Sequence, residues 1–439
     1  MTVKNLAERD KAIIWHPFTQ EKVAALPIPI VRGQGLRLYD ENDKEYWDMV
    51  SSWWVNLHGH SHPHIARAIY EQAQKLEQVM FAGFTHEPAV MLCENLRLEL
   101  APSLRRFFFA DNGSTAVEAA LKMAYQYWYN QGEYQRTMFL SFEGGYHGDT
   151  VGAMSLGRTS GFYKPFENLL FEIIAAPFAA TWEGDAGCET REEVYLQHLN
   201  AILNDTHHKI AAFIIEPLVQ GAGGMRMCRP EFLKQVMHIV RSYGILVIFD
   251  EVMTGFGRTG TMFAYQQVSE PDFLCLSKGL SGGFLPLALT ITTEQIYNSF
   301  LGDFSRAFAH GHSYSANPLG CAAAIASLEL LSDLKTKTSI SQINDAHIQC
   351  LFALSAEKSY IHKPRVCGTI AAFDFAEPAI GYDYQNGQIL KKAFLDNGLI
   401  IRPLGNTIYL LPPYCVTTEE LRVVYNKMDI ILQSILKGT

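Results

Sequence analysis

Residues 209–251 contain, in order, KIAAFIIEP (209–217), PEFLKQVMHIVRSYG (230–244) and ILVIFDE (245–251). The first and third stretches are apolar runs of strand length, rich in β-branched residues. In the middle stretch Pro230 suits the first turn of a helix and Gly244 suits its end. The apolar face of that helix would consist of Phe232, Leu233, Val236, Met237 and Val240. The order predicts a strand, an amphipathic helix and a second strand.

A further apolar run, FLCLSKG, follows at 273–279. Apolar strands that alternate with amphipathic helices indicate a parallel sheet covered on both faces, so we predict an α/β fold. In such sheets, ligands bind beyond the carboxyl ends of the strands. Asp250 and Lys278, which close two of the apolar runs, are therefore candidate functional residues.

The length of 439 residues exceeds what one hydrophobic core usually serves, so we expect two domains. From about residue 326 the helices become more polar, and the short runs GTIAAFDF and NTIYLLPP predict a smaller α+β domain. We expect a large domain with a mostly parallel central sheet at 61–325 and the small domain at 326–439. The segment at 1–60 is too short for a domain, and we expect it to pack with the small domain.

The composition excludes several classes of protein. Lys and Arg total 36 against 45 Asp and Glu, and this net charge of −9 gives no general attraction to nucleic acid or anionic lipid. No apolar stretch approaches the roughly 18 residues of a membrane span, and the first residues do not resemble a secretory signal. The 8 cysteines are scattered singly, as in reduced cytosolic proteins. We therefore expect a cytoplasmic protein that binds small molecules.

A run of alternating histidines occurs in WWVNLHGHSHPHIA (53–66), a spacing that could align metal ligands on one face of a strand. Pro63, however, suits the first turn of a helix. The apolar face of that helix would hold Ile65, Ile69, Leu76 and Met80. Only His58 and His60 could then align, and no HExxH or paired CxxC supplies further ligands. We expect a loop that leads into a helix, and no metal.

Residues 255–260, GFGRTG, match the GxGxxG pattern of dinucleotide-binding turns. In that fold the glycines directly follow the first strand of the sheet. Here four residues separate them from Asp250, and most of the sheet precedes them. We therefore expect no nicotinamide-binding fold.

Lys278 lies within LCLSKGLSGGFLP, where apolar surroundings would lower the pKa of its amine. Such a lysine could simply reach the surface or pair with a carboxylate. A neutral amine is also the nucleophile that Schiff-base chemistry requires. Asp250, 28 residues upstream at the end of a buried strand, needs a cationic partner, and the protonated ring nitrogen of pyridoxal phosphate would be one. The pair therefore indicates a pyridoxal phosphate enzyme.

Two glycine-containing stretches could complete such a site. Asn112-Gly113-Ser114-Thr115 precedes an apolar helical pattern, and Thr115 with Glu118 has the spacing of a capping box. A helix that starts in this way is a natural phosphate site, although it could also be an ordinary capped helix. In Gly144-Gly145-Tyr146-His147-Gly148 the glycines could present the ring of Tyr146 to a flat cofactor, or form a tight turn around a packed tyrosine.

Four of these motifs together resemble the ω-aminotransferase branch of the fold-type-I pyridoxal phosphate enzymes: NGSTAVEAALK, GGYHGDT, FDEVMTGFGRTG and CLSKGLSGG. Within that branch, further stretches are similar to the aminotransferases of biotin synthesis: IWHPFTQ, SSWWVNLHGH, HGHSYSANPL and IIRPLGNTIYLLPPY. The similarity extends from residue 14 to about 414. It implies a large domain with a mostly parallel sheet, a smaller α+β domain and an obligate homodimer.

The resemblance also implies a role for each matching residue. Lys278 would bind the cofactor covalently and move the substrate proton, and Asp250 would keep the ring nitrogen protonated. Tyr146 would stack near the ring and the substrate. The resemblance also implies which residues bind the cofactor phosphate. These are Gly113 and Ser114 of one subunit, together with Gly311, His312 and Ser313 donated by its neighbour.

The substrate pocket implied by the resemblance contains Trp53 and Arg402, with Arg258 nearby. The arginine would pair with the carboxylate of 8-amino-7-oxononanoate, the amino acceptor that is converted to 7,8-diaminononanoate. Phe18 replaces a tyrosine whose hydroxyl is associated with S-adenosylmethionine as the amino donor, and some relatives use lysine instead. Two alternatives remain open: an aminotransferase for another ω-amino acid and, more remotely, a metal-dependent hydrolase or metal-binding protein that uses His58 and His60.

Overall fold

The computed structural model describes residues 5–158, 163–375 and 384–438. Residues 1–4 of the predicted N-terminal segment, and 159–162, 376–383 and 439 of the predicted domains, lie outside the described residues. The strands are β1 (Ile30–Gln34), β2 (Arg37–Asp40), β3 (Glu45–Asp48), β4 (Leu104–Ala110), β5 (Met138–Phe142), β6 (Ile173–Ala176), β7 (Ile210–Ile215), β8 (Val219–Gln220), β9 (Arg226–Met227), β10 (Leu246–Asp250), β11 (Phe273–Leu276), β12 (Ala288–Thr293), β13 (Ile361–Cys367), β14 (Ile370–Phe375), β15 (Leu399–Ile400) and β16 (Thr407–Leu410).

The helices are α1 (Leu6–Lys11), α2 (Ser51–Trp54), α3 (Pro63–Ala73), α4 (Glu87–Glu99), α5 (Gly113–Gln131), α6 (Val151–Leu156), α7 (Cys188–Thr206), α8 (Pro230–Ser242), α9 (Glu294–Asn298), α10 (Pro318–Ser332), α11 (Leu334–Glu357), α12 (Tyr384–Asp396) and α13 (Thr418–Gly438). The four residues of α2 form a tight turn with positive φ angles and not a right-handed helix. Within the described ranges, none of the helices combines the length and apolar character needed to cross a bilayer.

A seven-stranded sheet with the order β4-β12-β11-β10-β7-β5-β6 forms the centre of the molecule. Strands β11, β10, β7, β5 and β6 are parallel, and β12 runs antiparallel to both β11 and β4. Helix α5 packs on β12, β11 and β7, and the residues of β7 are all buried. The predicted α/β fold with a mostly parallel sheet is confirmed.

The stretches that predicted this sheet form the expected elements. KIAAFIIEP contains β7, PEFLKQVMHIVRSYG contains α8, ILVIFDE contains β10 and FLCLSKG contains β11. Pro63 begins α3 as predicted, but the helix ends at Ala73, so the placement of Leu76 and Met80 on its apolar face was wrong. The last turn ends with the N–H groups of Lys75 and Leu76 on the carbonyl of Gln72, whose side chain in turn donates to the carbonyl of Leu76, an acceptor that a further turn would use.

The remaining strands lie in smaller sheets. Strands β13, β14 and β16 form an antiparallel sheet against which α11 packs, and α13 packs on α11. The N-terminal strands β1, β2 and β3 share a four-stranded sheet with β15, which comes from the C-terminal part of the chain. The predicted boundary at residue 325 falls within α10, and the proposed division into domains stays a prediction.

The carboxyl ends of the parallel strands bring distant residues to one edge of the central sheet. Asp250 ends β10, and Lys278 follows the end of the neighbouring β11. Asn112 follows β4, Tyr146 follows β5 and Glu216 follows β7. Ligand sites in α/β folds occur at this edge, so the topology itself indicates where to look for the site.

Candidate active site

A cavity of about 420 Å³ opens at this edge of the sheet. Lys278, Asp250, Tyr146, Gly113 and Ser114 all line it, although they come from four separate segments of the chain. The structure therefore brings together the residues that were predicted to bind the cofactor within one subunit. Further residues in the wall include Trp54, Asn112, His147, Glu216 and Val252.

The amine of Lys278 is enclosed within this cavity. Burial lowers the pKa of the amine, and the negative charges of Asp250 and Glu216 act in the opposite direction. Among the described residues, no carboxylate oxygen lies within 4.0 Å of Nζ, which lies 4.7 Å from the centre of the Trp54 ring. A buried amine without an ion-pair partner has a larger neutral fraction at neutral pH than an exposed lysine, as a nucleophile requires.

Asp250 is held by two hydrogen bonds at the bottom of the cavity. The ring Nδ1 of His147 lies 2.8 Å from Oδ2, and the backbone N–H of Val252 donates to Oδ1 over 3.1 Å. Both Asp250 and His147 are almost fully buried. The His147 ring can donate only one proton through Nδ1, so the carboxylate keeps acceptor capacity for a cationic N–H within the cavity.

The N-terminus of α5 forms another wall. Asn112 is the N-cap: its side chain accepts the backbone N–H of Thr115, and the Thr115 hydroxyl accepts the N–H of Asn112. The predicted capping box of Thr115 and Glu118 was therefore wrong, because the observed box consists of Asn112 and Thr115, one turn earlier. Glu118 instead accepts hydrogen bonds from Thr150 and from the backbone of Ala153.

The first N–H groups of α5, on Gly113 and Ser114, point out of the helix without a carbonyl partner in it. The backbone packs tightly here: a Cβ atom on Gly113 would lie 2.6 Å from Val252, and one on Gly148 would lie 1.9 Å from the Ser114 hydroxyl. A helix N-terminus with such close backbone approach is suited to a phosphate group.

Tyr146 is anchored at both ends. Its backbone N–H donates to Glu216 over 3.0 Å, and its hydroxyl donates to Asp149 over 2.9 Å. Glu216 also accepts the N–H of Gly221, and burial raises its pKa to about 7. Burial raises the pKa of the Tyr146 hydroxyl as well, so the tyrosine is a neutral hydrogen-bond donor.

Three residues of this wall were missed from the sequence: His147, Glu216 and Trp54. Glu216 closes an apolar strand, so the rule that singled out Asp250 would also have found it. His147 is the neighbour of Tyr146, but its contact with Asp250 spans 103 positions and has no local signal.

A second cluster joins three predicted substrate residues, Phe18, Trp53 and Arg402. The guanidinium carbon of Arg402 lies 3.8 Å from the centre of the Trp53 ring and 5.8 Å from that of Phe18. The two rings meet edge to face at 5.6 Å. Within the described part of the chain, Arg402 has no carboxylate partner within 4.0 Å, so its donors are available to an anionic ligand.

Arg258 and the segment at 311–313 lie outside the cavity. Arg258 is 1% exposed and donates to the backbone carbonyls of Pro412 and Asn56. Gly311 and Ser313 are exposed, and the ring Nε2 of His312 is buried without a hydrogen-bond partner. A role for these residues in the site stays a prediction.

His58 and His60, the two histidines considered as metal ligands, bond to side chains of the protein. The His58 ring lies 3.0 Å from the Ser327 hydroxyl, and burial lowers its pKa to about 3. His60 lies 2.9 Å from the carboxylate of Asp48. Nowhere in 5–158, 163–375 or 384–438 do three His, Cys, Asp or Glu side chains group as metal ligands.

The model of the class-III aminotransferase family matches residues 18–432, which include all the lining residues of the cavity. The chain belongs to the class-III aminotransferases. Members of this family depend on pyridoxal phosphate, and the site fits that cofactor: a buried amine, a carboxylate at the end of a strand and the N-terminus of a helix face one cavity.

Comparison with individual class-III aminotransferases gives near full-length matches. The adenosylmethionine-8-amino-7-oxononanoate aminotransferase of Synechococcus elongatus is 51% identical over 96% of this chain and 99% of its own. The crystal structure of the enzyme of the same name from Methanocaldococcus jannaschii has a TM-score of 0.90 at 34% identity, covering 98% of both chains. The ω-transaminase from Pseudomonas jessenii, solved in complex with PMP, has a TM-score of 0.92 at 26% identity, covering 99% of both chains.

Proposed function

We propose that this aminotransferase transfers an amino group to 8-amino-7-oxononanoate and so forms 7,8-diaminononanoate for biotin synthesis. The single observation that carries the proposal is the guanidinium of Arg402, which lies over the ring of Trp53 and near that of Phe18 and has no carboxylate partner among the described residues. The printed names of near full-length relatives, one at 51% identity, support the same acceptor.

When bound, pyridoxal phosphate supplies an aldehyde and a protonated ring that withdraws electrons from the reacting carbon. Lys278 would hold the aldehyde end through Nζ and would move the proton to and from the substrate carbon with the same atom. Asp250 would keep the ring nitrogen protonated, and His147 orients its carboxylate. The N–H groups of Gly113 and Ser114 would bind the phosphate, and the ring of Tyr146 would cover the site.

Arg402 would fix the acceptor at its remote end. A guanidinium can bind a carboxylate through two parallel hydrogen bonds, which sets both the position and the direction of the ligand. Because the carboxylate and the ketone are at opposite ends of 8-amino-7-oxononanoate, this contact determines how far the ketone lies from Lys278. Trp53 would pack along the ligand as well as against the guanidinium.

We propose S-adenosylmethionine as the amino donor, with lysine as the alternative. The names of the relatives favour the former. Phe18 keeps the ring surface of the tyrosine that the resemblance associates with this donor, but lacks one hydrogen bond, a net change of about 1 kcal/mol. Such a change would alter the affinity for the donor without changing the reaction.

We further propose a homodimer with shared active sites that works in the cytoplasm. The segment at 311–313 lies outside the cavity of its own chain, as expected for residues donated to a neighbour. All 8 cysteines are free thiols, which agrees with a reducing compartment.

The proposal is tested by mixing the purified protein with 8-amino-7-oxononanoate and either S-adenosylmethionine or lysine, and measuring 7,8-diaminononanoate by mass spectrometry. We expect product with at least one donor. Lys278→Ala should abolish both turnover and the visible absorbance of the bound cofactor. Turnover of other ω-amino acids or ketones, without activity on 8-amino-7-oxononanoate, would contradict the proposal and indicate a different ω-aminotransferase.

A further inference from the structure

The turn α2 has a backbone that ordinary residues avoid. Ser51, Ser52, Trp53 and Trp54 have φ angles of 50°, 45°, 69° and 74°, so four successive residues are left-handed and none is glycine. L-residues are disfavoured in this conformation and rarely adopt it in succession. Such strain persists only where surrounding contacts impose it, and it is concentrated at functional sites.

A single buried carboxylate supplies several of those contacts, beside the hydrogen bonds from the Ser51 hydroxyl to the Leu411 carbonyl and from the Trp54 indole to Tyr409. Asp48 is 0% exposed and lies at the end of β3. Its oxygens accept the backbone N–H of Val50 over 3.2 Å, and both the N–H and the hydroxyl of Ser52 over 2.7 and 3.0 Å. His60 closes the group from the other side, with its Nε2 2.9 Å from the same carboxylate.

The turn places its two tryptophans in different parts of the site. Trp53 lies against the guanidinium of Arg402 at 3.8 Å, whereas Trp54 lines the cavity and lies 4.7 Å from the Lys278 amine. The indole N–H of Trp54 donates to the Tyr409 hydroxyl over 3.0 Å. Adjacent residues thus connect the carboxylate-binding region with the reacting amine.

We propose that Asp48, supported by His60, is a positioning residue: it holds α2 left-handed and thereby sets Trp53 on Arg402 and Trp54 beside Lys278. Asp48 does not line the cavity. Loss of its carboxylate would let the turn relax towards ordinary φ angles, and both indoles would move. The identity of the ligand of Arg402 rests on the proposed function, whereas the role of Asp48 in the turn does not.

The test compares Asp48→Ala, Asp48→Asn and the double variant Asp48→Ala with Ser52→Gly. Glycine adopts positive φ without strain, so it should restore the turn in the absence of the carboxylate. For the holoenzyme we expect Asp48→Ala to weaken calorimetric binding of nonanoate about tenfold or more, and to raise the KM for 8-amino-7-oxononanoate more than it lowers kcat. The nonanoate affinity of Asp48→Asn should lie between those of wild type and Asp48→Ala. Addition of Ser52→Gly to Asp48→Ala should recover at least half of the lost affinity on a logarithmic scale.

Asp40→Ala is the matched control. Asp40 is also a buried carboxylate of the N-terminal sheet, and it accepts the backbone N–H groups of Asn42 and Lys44 around Asp43, another residue with positive φ. Among the described residues, its carboxylate accepts hydrogen bonds from Asn42, Lys44 and Tyr46 and from none of α2. We expect Asp40→Ala to lower the thermal midpoint of the holoenzyme as much as Asp48→Ala does, with nonanoate affinity unchanged.

Two results would overturn the inference. One is that Asp48→Ala binds nonanoate with an affinity within twofold of wild type. The other is that Asp48→Ala loses affinity but the double variant with Ser52→Gly does not recover it. If Asp48→Ala does not fold, the same comparison holds for Asp48→Asn alone and with Ser52→Gly. Failure of the proposed function is recognised separately, since the wild-type protein itself would then not convert 8-amino-7-oxononanoate.

Discussion

Lys278 combines a buried amine with a left-handed backbone, φ 46°. A left-handed L-residue costs about 1–2 kcal/mol, and burial of the amine disfavours its charged form. Neither property benefits the folding of the chain. Both make sense for an amine that must be neutral and fixed in direction when it reacts, which is why perturbed groups are concentrated at functional sites.

The lowered pKa of Lys278 predicts how cofactor uptake depends on pH. Only the neutral amine can bond to the aldehyde, so the rate at which apoprotein takes up pyridoxal phosphate should rise with pH. This rate should level off at a lower pH than the rate at which the reference amine Nα-acetyl-lysine reacts with pyridoxal phosphate. Because the charge of Glu216 raises the pKa of Lys278, Glu216→Gln should move the midpoint to still lower pH. The growth of visible absorbance measures the rate.

Glu251→Gln is the control for this pH profile. Glu251 is another fully buried carboxyl at the same edge of the sheet, but it bonds to the backbone of Ala264 and Tyr265 and not towards Lys278. Its substitution should leave the midpoint where it is. A wild-type midpoint equal to that of the reference amine, or a midpoint that rises in Glu216→Gln, would contradict the assignment of Lys278 as a desolvated amine.

Individual residues differ in how far the sequence could predict them. Asp250 and Lys278 lie at the ends of apolar strands, so the apolar residues beside them in the sequence already indicate that two charged side chains are buried. His147 bonds to a carboxylate 103 positions away, and Arg402 meets Trp53 and Phe18 only in the folded chain. Such pairings depend on the topology of the whole sheet and have no local pattern to reveal them.

At the scale of elements, α5 connects sequence to site most directly. Its apolar pattern predicted the helix, and Gly113 and Ser114 predicted its start, but the capping box lies on Asn112 and Thr115, one turn before the predicted pair. Asparagine and threonine both suit an N-cap, so the sequence offered two overlapping possibilities. The second was excluded by tertiary contacts, because Glu118 bonds to the α6 region.

Removal of this cap should affect both stability and cofactor binding. Asn112→Ala should lower the free energy of unfolding by about 1 kcal/mol in urea titrations. It should also weaken binding of pyridoxal phosphate to the apoprotein several-fold, because the N–H groups of Gly113 and Ser114 lose their fixed direction.

Thr293→Ala provides the comparison for that experiment, since Thr293 caps α9 by accepting the N–H of Ile296 and does not line the cavity. It should reduce stability to a similar degree and leave cofactor affinity unchanged. Equal cofactor affinity in both variants would mean that the start of α5 does not bind the phosphate.

For the molecule as a whole, a single chain does not hold every predicted site residue in one place. Lys278 and Asp250 share a cavity, whereas Gly311 and Ser313 are exposed outside it and His312 carries a buried ring nitrogen without a partner. The α/β fold could be predicted from strand and helix patterns within one chain. Contacts between two chains leave no such periodic pattern, so the prediction of shared sites came only from the resemblance.

If the segment at 311–313 completes the site of a neighbour, two inactive variants should complement each other. One carries Lys278→Ala, and the other carries His312→Ala with Ser313→Ala. After subunit exchange, about half of the dimers would be mixed, and each would hold one complete site, so about a quarter of wild-type activity should return. A mixture of Lys278→Ala with Asp250→Asn should recover none, because both changes fall in the same cavity and no mixed dimer then has a complete site. Failure of the first mixture to recover activity, with subunit exchange shown by native mass spectrometry, would place 311–313 outside any shared site.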